Sequence, residues 1–218
     1  MSHDDFEFEP IPGLPAPLPA EESLLWQGSP EWWRLAVSAY HVRKVAIYLG
    51  LIVALQALPG HASSHPGSWM SFLLLLGLGA AAFAILAILA FLSARATVYS
   101  ITTRRILIRH GVAVPMTLNV PLRLIDAIDL KRVPEGHGDL YFKLARKERI
   151  GYLVTWPHVR PGRFARPVPT FRALAHVDSA VAALERALSG VPADPEVPAR
   201  RARGSVALPE LEIMSEHA

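Results

Sequence analysis

The chain has 218 residues, of which 51% are hydrophobic, 19% are charged and none is Cys. This length excludes a large multidomain enzyme, and the lack of Cys excludes disulfides, thiolate metal sites and cysteine nucleophiles. Fifty consecutive positions, 45–94, contain no Asp, Glu, Lys or Arg, which argues against a wholly soluble protein.

The N-terminal residues 1–33 contain seven acidic side chains and no Lys or Arg. Their stretch EPIPGLPAPLP is rich in proline and predicts an extended, irregular arm. Trp26, Trp32 and Trp33 lie near its end. This aromatic cluster favours a membrane-interface belt or a contact with the folded domain, and a dedicated partner site is the alternative.

Residues 34–94 are predicted to form a transmembrane helical hairpin. The second span, 69–92, is a 24-residue apolar run, about 36 Å long as a helix and therefore longer than a hydrocarbon core of about 30 Å. The first apolar run, 45–58, has only 14 residues, so a first span at about 43–62 needs Arg43 and Lys44 to snorkel to the interface or the helix to continue to about Ala62. Between the spans, the Pro- and Gly-containing stretch 59–68 predicts a turn.

The distribution of basic residues predicts which side of the membrane each part occupies. Lys and Arg occur before the first span and after the second, but the stretch 59–68 has neither. By the positive-inside rule, both termini are expected in the cytoplasm. No charged residue lies between positions 45 and 94, so a transporter or pump has no candidate ion or proton pathway inside the bilayer.

Small residues recur at helical spacing in both spans, and such stripes allow close helix packing. The candidate packing residues are Ala46, Gly50, Ala54, Gly77, Ala81 and Ala84. Packing within the hairpin is favoured, and packing on a helix of another protein is the alternative.

Residues 95–190 are predicted to form a small antiparallel β-barrel that is capped by a helix. Apolar residues alternate with polar ones in several short segments, which indicates strands. The segments are 97–102, 105–109, 116–120, 122–130, 140–144 and 150–156. From Phe171 to Leu188 the apolar spacing becomes three or four, which predicts the helix, with Asp178 or Thr170 as N-cap and Gly190 as the stop. The Pro-rich residues 191–218 are expected to be a disordered tail.

The barrel region is strongly basic, with fifteen Lys and Arg against five acidic residues from Arg95 to Arg172. Anionic lipid or an acidic segment of a membrane partner would suit this charge, and nucleic acid is disfavoured because paired stacking aromatics are lacking. Arg104, Arg105 and Arg109 are the candidate partner-binding residues, with a solvated strand face as the equally weighted alternative.

Histidines are the remaining candidate ligands in this sequence. His41, and His61 with His65 in the predicted turn, suit a magnesium-containing pigment, but solvated loop histidines are favoured. Nucleophile, phosphate-loop and zinc-protease motifs are absent. We therefore expect no enzyme activity, no cofactor and no metal.

The segments FEPIPGLPAPLP, EESLLWQGSPEWWRLA, HVRKVAIYLG and TVYSITTRRILIRHGV resemble the PuhB family of photosynthetic complex assembly proteins from purple bacteria, over about residues 6–190. Within them, YSITTRRILIRHG and the later PLRLIDAIDL resemble the bacterial pleckstrin-homology (PH)-like domain. The resemblance implies a non-enzymatic inner-membrane protein that helps to assemble the reaction centre and core antenna, whose subunits are the expected partners. Two alternatives remain, namely a bacteriochlorophyll-handling protein and a general PH-like protein that binds anionic lipid; the oligomeric state is open.

Overall fold

The computed structural model describes residues 13–14, 16–56, 68–145 and 150–190. The helices within these ranges are α1 (Trp32–Ser38), α2 (Val42–Gln56), α3 (Ser68–Ala96), α4 (Tyr152–Thr155) and α5 (Val177–Ser189). The strands are β1 (Leu24–Gly28), β2 (Val98–Thr102), β3 (Arg105–His110), β4 (Met116–Pro121), β5 (Ile125–Val133), β6 (His137–Leu144) and β7 (Thr170–Leu174). A short 3-10 turn, Leu122–Leu124, joins β4 to β5.

The strands form two antiparallel sheets, in the orders β1-β2-β3-β4 and β5-β6-β7. Two local features shape the first sheet. The Thr102 hydroxyl accepts hydrogen bonds from the backbone N–H groups of Arg104 and Arg105, which closes the β2–β3 turn. The β3–β4 turn requires Gly111, because its φ is +112° and an added Cβ would lie 2.1 Å from the Val114 carbonyl oxygen.

One apolar core lies between the two sheets and α5. Side chains such as Tyr99 from β2, Phe142 from β6 and Phe171 from β7 meet the inner face of α5, including Leu184. Burying side chains of this size stabilises the fold by about 1.5–3 kcal/mol each. The predicted antiparallel strands and C-terminal helix are therefore present; the closed barrel with a capping helix stays a prediction.

Helix α3 has 29 residues, and its part Trp69–Ala96 is long and apolar enough to cross a membrane. Helix α2 has 15 residues, a length of about 22 Å, and the chain bends by 60° between α1 and α2. The continuation of the first predicted span to residue 62 and most of the predicted turn at 59–68 lie outside the described residues. The membrane hairpin as a whole therefore stays a prediction.

The predicted irregular arm is wrong for residues 24–28, which form β1 and pair with β2. Upstream of β1, Leu14 is buried, and residues 16–18 line a shallow groove with Leu107 of β3. Part of the acidic arm is therefore built into the domain, where it covers one edge and part of the outer face of the first sheet.

Two further predictions are wrong in the C-terminal half. Residues 152–155 form the short helix α4 instead of a strand, because β7 occupies the position beside β6 that a strand there would take. Residues 170–174 form β7 instead of the first turn of the last helix. Helix α5 consequently begins at Val177 with His176 as N-cap, and it ends as predicted at Gly190, whose φ is +67°.

Candidate functional site: the junction between α3 and the domain

Helix α3 passes directly into β2, and the connection is buried. The Thr97 hydroxyl donates a hydrogen bond to the Ser93 carbonyl oxygen in the last turns of α3, at 2.7 Å. The same hydroxyl lies 3.0 Å from Nε2 of His158. Ser93, Thr97 and His158 are all buried, so the end of the apolar helix is held against the segment that precedes β7.

The hydrogen-bond partners of His158 define its protonation. Because the single Thr97 proton is used on Ser93, Nε2 of His158 must donate to Thr97 and its Nδ1 must accept. Tyr99 supplies that donor, with its hydroxyl 2.7 Å from Nδ1. Burial holds the pKa of His158 well below its ordinary value, and the charges of His110 and Arg172 lower it further. The imidazole is therefore neutral.

Tyr99 connects this histidine to the second sheet. Its hydroxyl accepts a hydrogen bond from the Arg172 backbone N–H at 3.1 Å and lies 3.3 Å from the Arg172 carbonyl oxygen. The ring stacks on Phe171, with centroids 4.6 Å apart. Burial raises the pKa of Tyr99 far above its ordinary value, so the hydroxyl keeps its proton.

Arg172 extends the network to α1. Its guanidinium donates to the Ser38 carbonyl oxygen at the end of α1, at 2.8 Å, and to the Pro157 carbonyl oxygen, at 3.1 Å. Nearby, the buried Asp139 accepts a hydrogen bond from the Ala173 N–H at 2.8 Å. One connected set of side chains therefore fixes α1, α3 and both sheets relative to one another.

This arrangement suits a role in which the position of helix α3 is coupled to the position of the domain. Buried, mutually satisfied polar groups specify a single arrangement of the elements that they join.

Among the described residues, no group of three or more His, Asp or Glu side chains is placed to hold a metal ion. His41 is exposed at the corner between α1 and α2, whereas His61 and His65 lie outside the described residues.

The three predicted basic residues do not form one patch. Arg104 is exposed in the β2–β3 turn and pairs with Glu21 at 2.6 Å. Arg105 makes two hydrogen bonds to Glu22, whose side chain is 2% exposed, and these bonds are the main reason that the pKa of Glu22 is lowered. Arg109 is buried near the other end of β3, beside Val98.

The three tryptophans have different environments. Trp26 of β1 stacks on Phe171 and donates from Nε1 to the Ser179 hydroxyl of α5 at 3.0 Å, which agrees with the favoured contact with the folded domain. Trp32 and Trp33 are exposed, and Trp32 makes an edge contact with Phe91 of α3. These two remain candidates for a membrane interface or a partner.

The predicted packing residues Ala46, Gly50, Ala54, Gly77, Ala81 and Ala84 are all exposed. A Cβ added to Gly50 or Gly77 would contact nothing within 4 Å. Helices α2 and α3 meet instead through other residues, including Val42 with Ala90 and Leu49 with Gly79. The favoured interpretation, packing within the hairpin, therefore does not apply to these six positions.

The junction residues were missed by sequence analysis. Arg172 could have been identified from the sequence, because a charged residue within the apolar stretch TFRAL is typical of a buried strand whose charge is hydrogen-bonded. The mistaken helix at 171–174 concealed it. Tyr99 and His158 gave no comparable signal, because their contact joins positions 59 residues apart.

Residues 44–149, which include α3 and strands β2 to β6, match the family model of the bacterial PH domain. The chain is also 34% identical over 211 residues to an uncharacterized 23.7 kDa protein in the puhA 5′ region of Rhodobacter capsulatus, covering 94% of this chain and 97% of that protein. It belongs to the same family as the Rhodobacter protein. No solved structure matches the chain.

Proposed function

We propose that this chain is an integral membrane assembly factor that helps to build the photosynthetic reaction centre and core antenna by scaffolding newly inserted subunits. The observation that carries the proposal is the near full-length similarity to a protein of the puhA 5′ region. The resemblance to the PuhB family supports the same role. The role is non-enzymatic and requires no cofactor.

In this proposal the chain crosses the bacterial inner membrane twice, through α3 and through α2 with the residues that follow it. Arg43 and Lys44 at the start of α2 and Arg95 at the end of α3 are exposed and lie on the domain side. The stretch 59–68 contains no Lys or Arg. This distribution supports two cytoplasmic termini, with the PH domain at the inner surface of the membrane.

The chain would act as a scaffold through two features, the buried junction between α3 and the domain and the exposed outer surface of α3. Because the buried network fixes α3 to β2, a subunit helix bound beside α3 would also have a defined position relative to the domain. Ala81 lies two residues from Gly79, which faces α2, and so is turned about 200° around the helix axis. Small residues on this outer face allow the close approach of another helix.

The partners in this proposal are reaction-centre and core light-harvesting subunits, with anionic lipids at the cytoplasmic leaflet. Self-association through the same outer face is compatible with the scaffold. A bacteriochlorophyll carrier and a general lipid-binding PH protein remain the alternatives. Bound pigment in the purified protein would favour the first, and unchanged levels of assembled complex after gene deletion would favour the second.

The test is a gene deletion that is complemented by matched variants. We expect the deletion to lower the reaction-centre and core-antenna absorbance of isolated membranes, and wild-type protein to restore it. Ala81→Leu should restore less than Ala82→Leu, since both alanines are exposed but only Ala81 lies opposite α2. Normal absorbance in the deletion strain would contradict the assembly role; equal rescue by the two variants would contradict the use of this helix face.

A further inference from the structure

Two exposed apolar loops lie at one end of the domain. The β3–β4 turn exposes Val112 and Val114, and the segment from α4 to β7 exposes Leu153, Trp156 and Phe164. The exposed fraction reaches 69% for Val114 and Phe164 and 87% for Leu153. Exposed apolar groups of this size, when they share one surface, mark a site of interaction with a protein or a membrane.

The strand register places the first loop next to the end of α3. Strand β2 begins two residues after α3, and its first residue, Val98, pairs with Arg109 near the end of β3. The turn that follows β3 therefore lies at the α3 end of the sheet. The opposite end, with the β2–β3 turn, is about 15 Å farther along the strands.

Buried contacts place the second loop at the same end. His158 lies 3.0 Å from the Thr97 hydroxyl, directly after α3, and its ring centroid is 5.4 Å from that of His110 at the end of β3. The Trp156 ring contacts Tyr40, two residues before α2 begins, with centroids 5.1 Å apart. The segment is thus held beside the ends of both helices that carry the apolar surface.

The charge around these loops suits phospholipid headgroups. Residues 150–169 contain no Asp or Glu, and Arg163 and Arg166 are exposed beside Phe164. Arg43, Lys44 and Arg95 are exposed at the adjoining ends of α2 and α3. Apolar side chains flanked by cations are typical of a surface that lies in the interface of an anionic leaflet.

We propose that the two loops, 111–116 and 152–166, insert their apolar side chains into the interface of the leaflet next to the domain, with Arg163 and Arg166 at the headgroups. This inference rests on the proposed membrane insertion of α3. The domain would then be held against the bilayer at three places, the end of α3 and the two loops, so that its orientation relative to the membrane is fixed.

Because the chain has no Cys, one introduced thiol labels one site. The full chain is reconstituted in vesicles of phosphatidylcholine and phosphatidylglycerol and labelled with an environment-sensitive fluorophore at Val114→Cys or Phe164→Cys. Leu188→Cys is the matched control, since Leu188 is 59% exposed but lines a groove with Thr103 and Arg104 of the opposite end. Ile85→Cys, in the middle of α3, reports membrane insertion.

Each label is tested with aqueous iodide and with a phospholipid that carries a quenching doxyl group just below its headgroup. We expect several-fold stronger lipid quenching at 114 and 164 than at 188, and the reverse order for iodide. If 114 and 164 behave like 188 while 85 is protected from iodide, the loops do not enter the bilayer and α3 does. If 85 is quenched by iodide, membrane insertion itself fails and the inference fails with it.

Discussion

His158 illustrates how a single residue stabilises the junction. Its two ring nitrogens are used in opposite senses, one donating to Thr97 and the other accepting from Tyr99. A neutral, fully buried imidazole can meet both requirements, whereas an imidazolium would have to donate from both nitrogens. The contact between helix α3 and the domain therefore depends on one tautomer and on the hydroxyl of Tyr99.

Tyr99→Phe should destabilise the domain by about 1–3 kcal/mol, because the change leaves Nδ1 of His158 and the Arg172 N–H buried without a hydrogen-bond partner. Chemical unfolding of the detergent-solubilised protein measures this change. Tyr152→Phe is the control, since it removes a hydroxyl from a half-exposed ring and should cost much less. Equal effects of the two variants would show that the buried network contributes nothing.

Stability should also fall as the pH is lowered from about 7 to 5. Burial lowers the folded-state pKa of His158 and of His110 below the ordinary value of 6.5, so below pH 6.5 the unfolded chain binds protons that the folded chain does not. Each histidine then contributes a loss of up to about 1.4 kcal/mol per pH unit. Glu22, with a lowered pKa, adds to the loss only below its ordinary value of 4.5.

His110→Gln should flatten this dependence, because it removes one of the two titrating groups. Unfolding free energies measured at several pH values compare the slopes of the two proteins. A wild-type stability that stays constant from pH 7 to 5 would contradict the buried, neutral state of both histidines.

At the scale of elements, β1 and the segment before it join the acidic arm to the PH domain. Glu22 forms an ion pair with Arg105 in this attachment, and the Thr102 hydroxyl donates to the same carboxylate at 2.6 Å. The neighbouring pair of Glu21 and Arg104 has similar chemistry, but both of its side chains are exposed. The two pairs therefore form a natural comparison between buried and exposed ion pairs.

Glu22→Gln should destabilise the domain by about 1–3 kcal/mol, because it removes the ion pair between the buried Glu22 carboxylate and the partly exposed Arg105. Glu21→Gln should change stability by less than about 1 kcal/mol, because exposed ion pairs contribute little. Proteolysis near β1, followed by mass spectrometry, checks the local effect. Equal protease sensitivity of the two variants would contradict the anchoring role of Glu22.

Local sequence patterns were sufficient for some elements and misleading for others. Strands β2, β3, β4 and β6 were predictable, because each has alternating apolar residues with a turn residue such as Gly111 next to it. Residues 171–174 were misassigned because Phe171 and Leu174 also fit the period of the following helix. These residues form a strand because β7 pairs with the distant β6, and strand formation depends on such neighbours.

The candidate site was less predictable than the fold. Spacing identified the small residues of α2 and α3, but spacing does not say which face of each helix meets the other. The structure assigns that contact to residues such as Leu49 and Gly79, and the Ala81 face stays exposed. The junction depends on contacts between Thr97, Tyr99, His158 and Arg172, which lie on segments far apart in sequence, so no local pattern contains it.

At the scale of the whole molecule, the proposed topology has two spans and a cytoplasmic domain. In intact cells, Ser64→Cys in the connecting stretch should react with a membrane-impermeant maleimide added outside the inner membrane, whereas Arg123→Cys should react only after the membrane is permeabilised. This pattern follows from the positive-inside distribution of Lys and Arg. Labelling of position 123 in intact cells, or labelling of position 64 only after permeabilisation, would contradict two spans with cytoplasmic termini.

The proposed scaffold acts on subunits only while they are being assembled, and pulse-chase affinity isolation measures this directly. Tagged full-length chain is isolated in mild detergent from membranes that have just begun to synthesise the photosynthetic complex. We predict that pulse-labelled reaction-centre or core-antenna subunits co-purify and are lost during the chase as finished complex accumulates. The absence of labelled subunits at every time, with normal yield of the tagged chain, would contradict the assembly role.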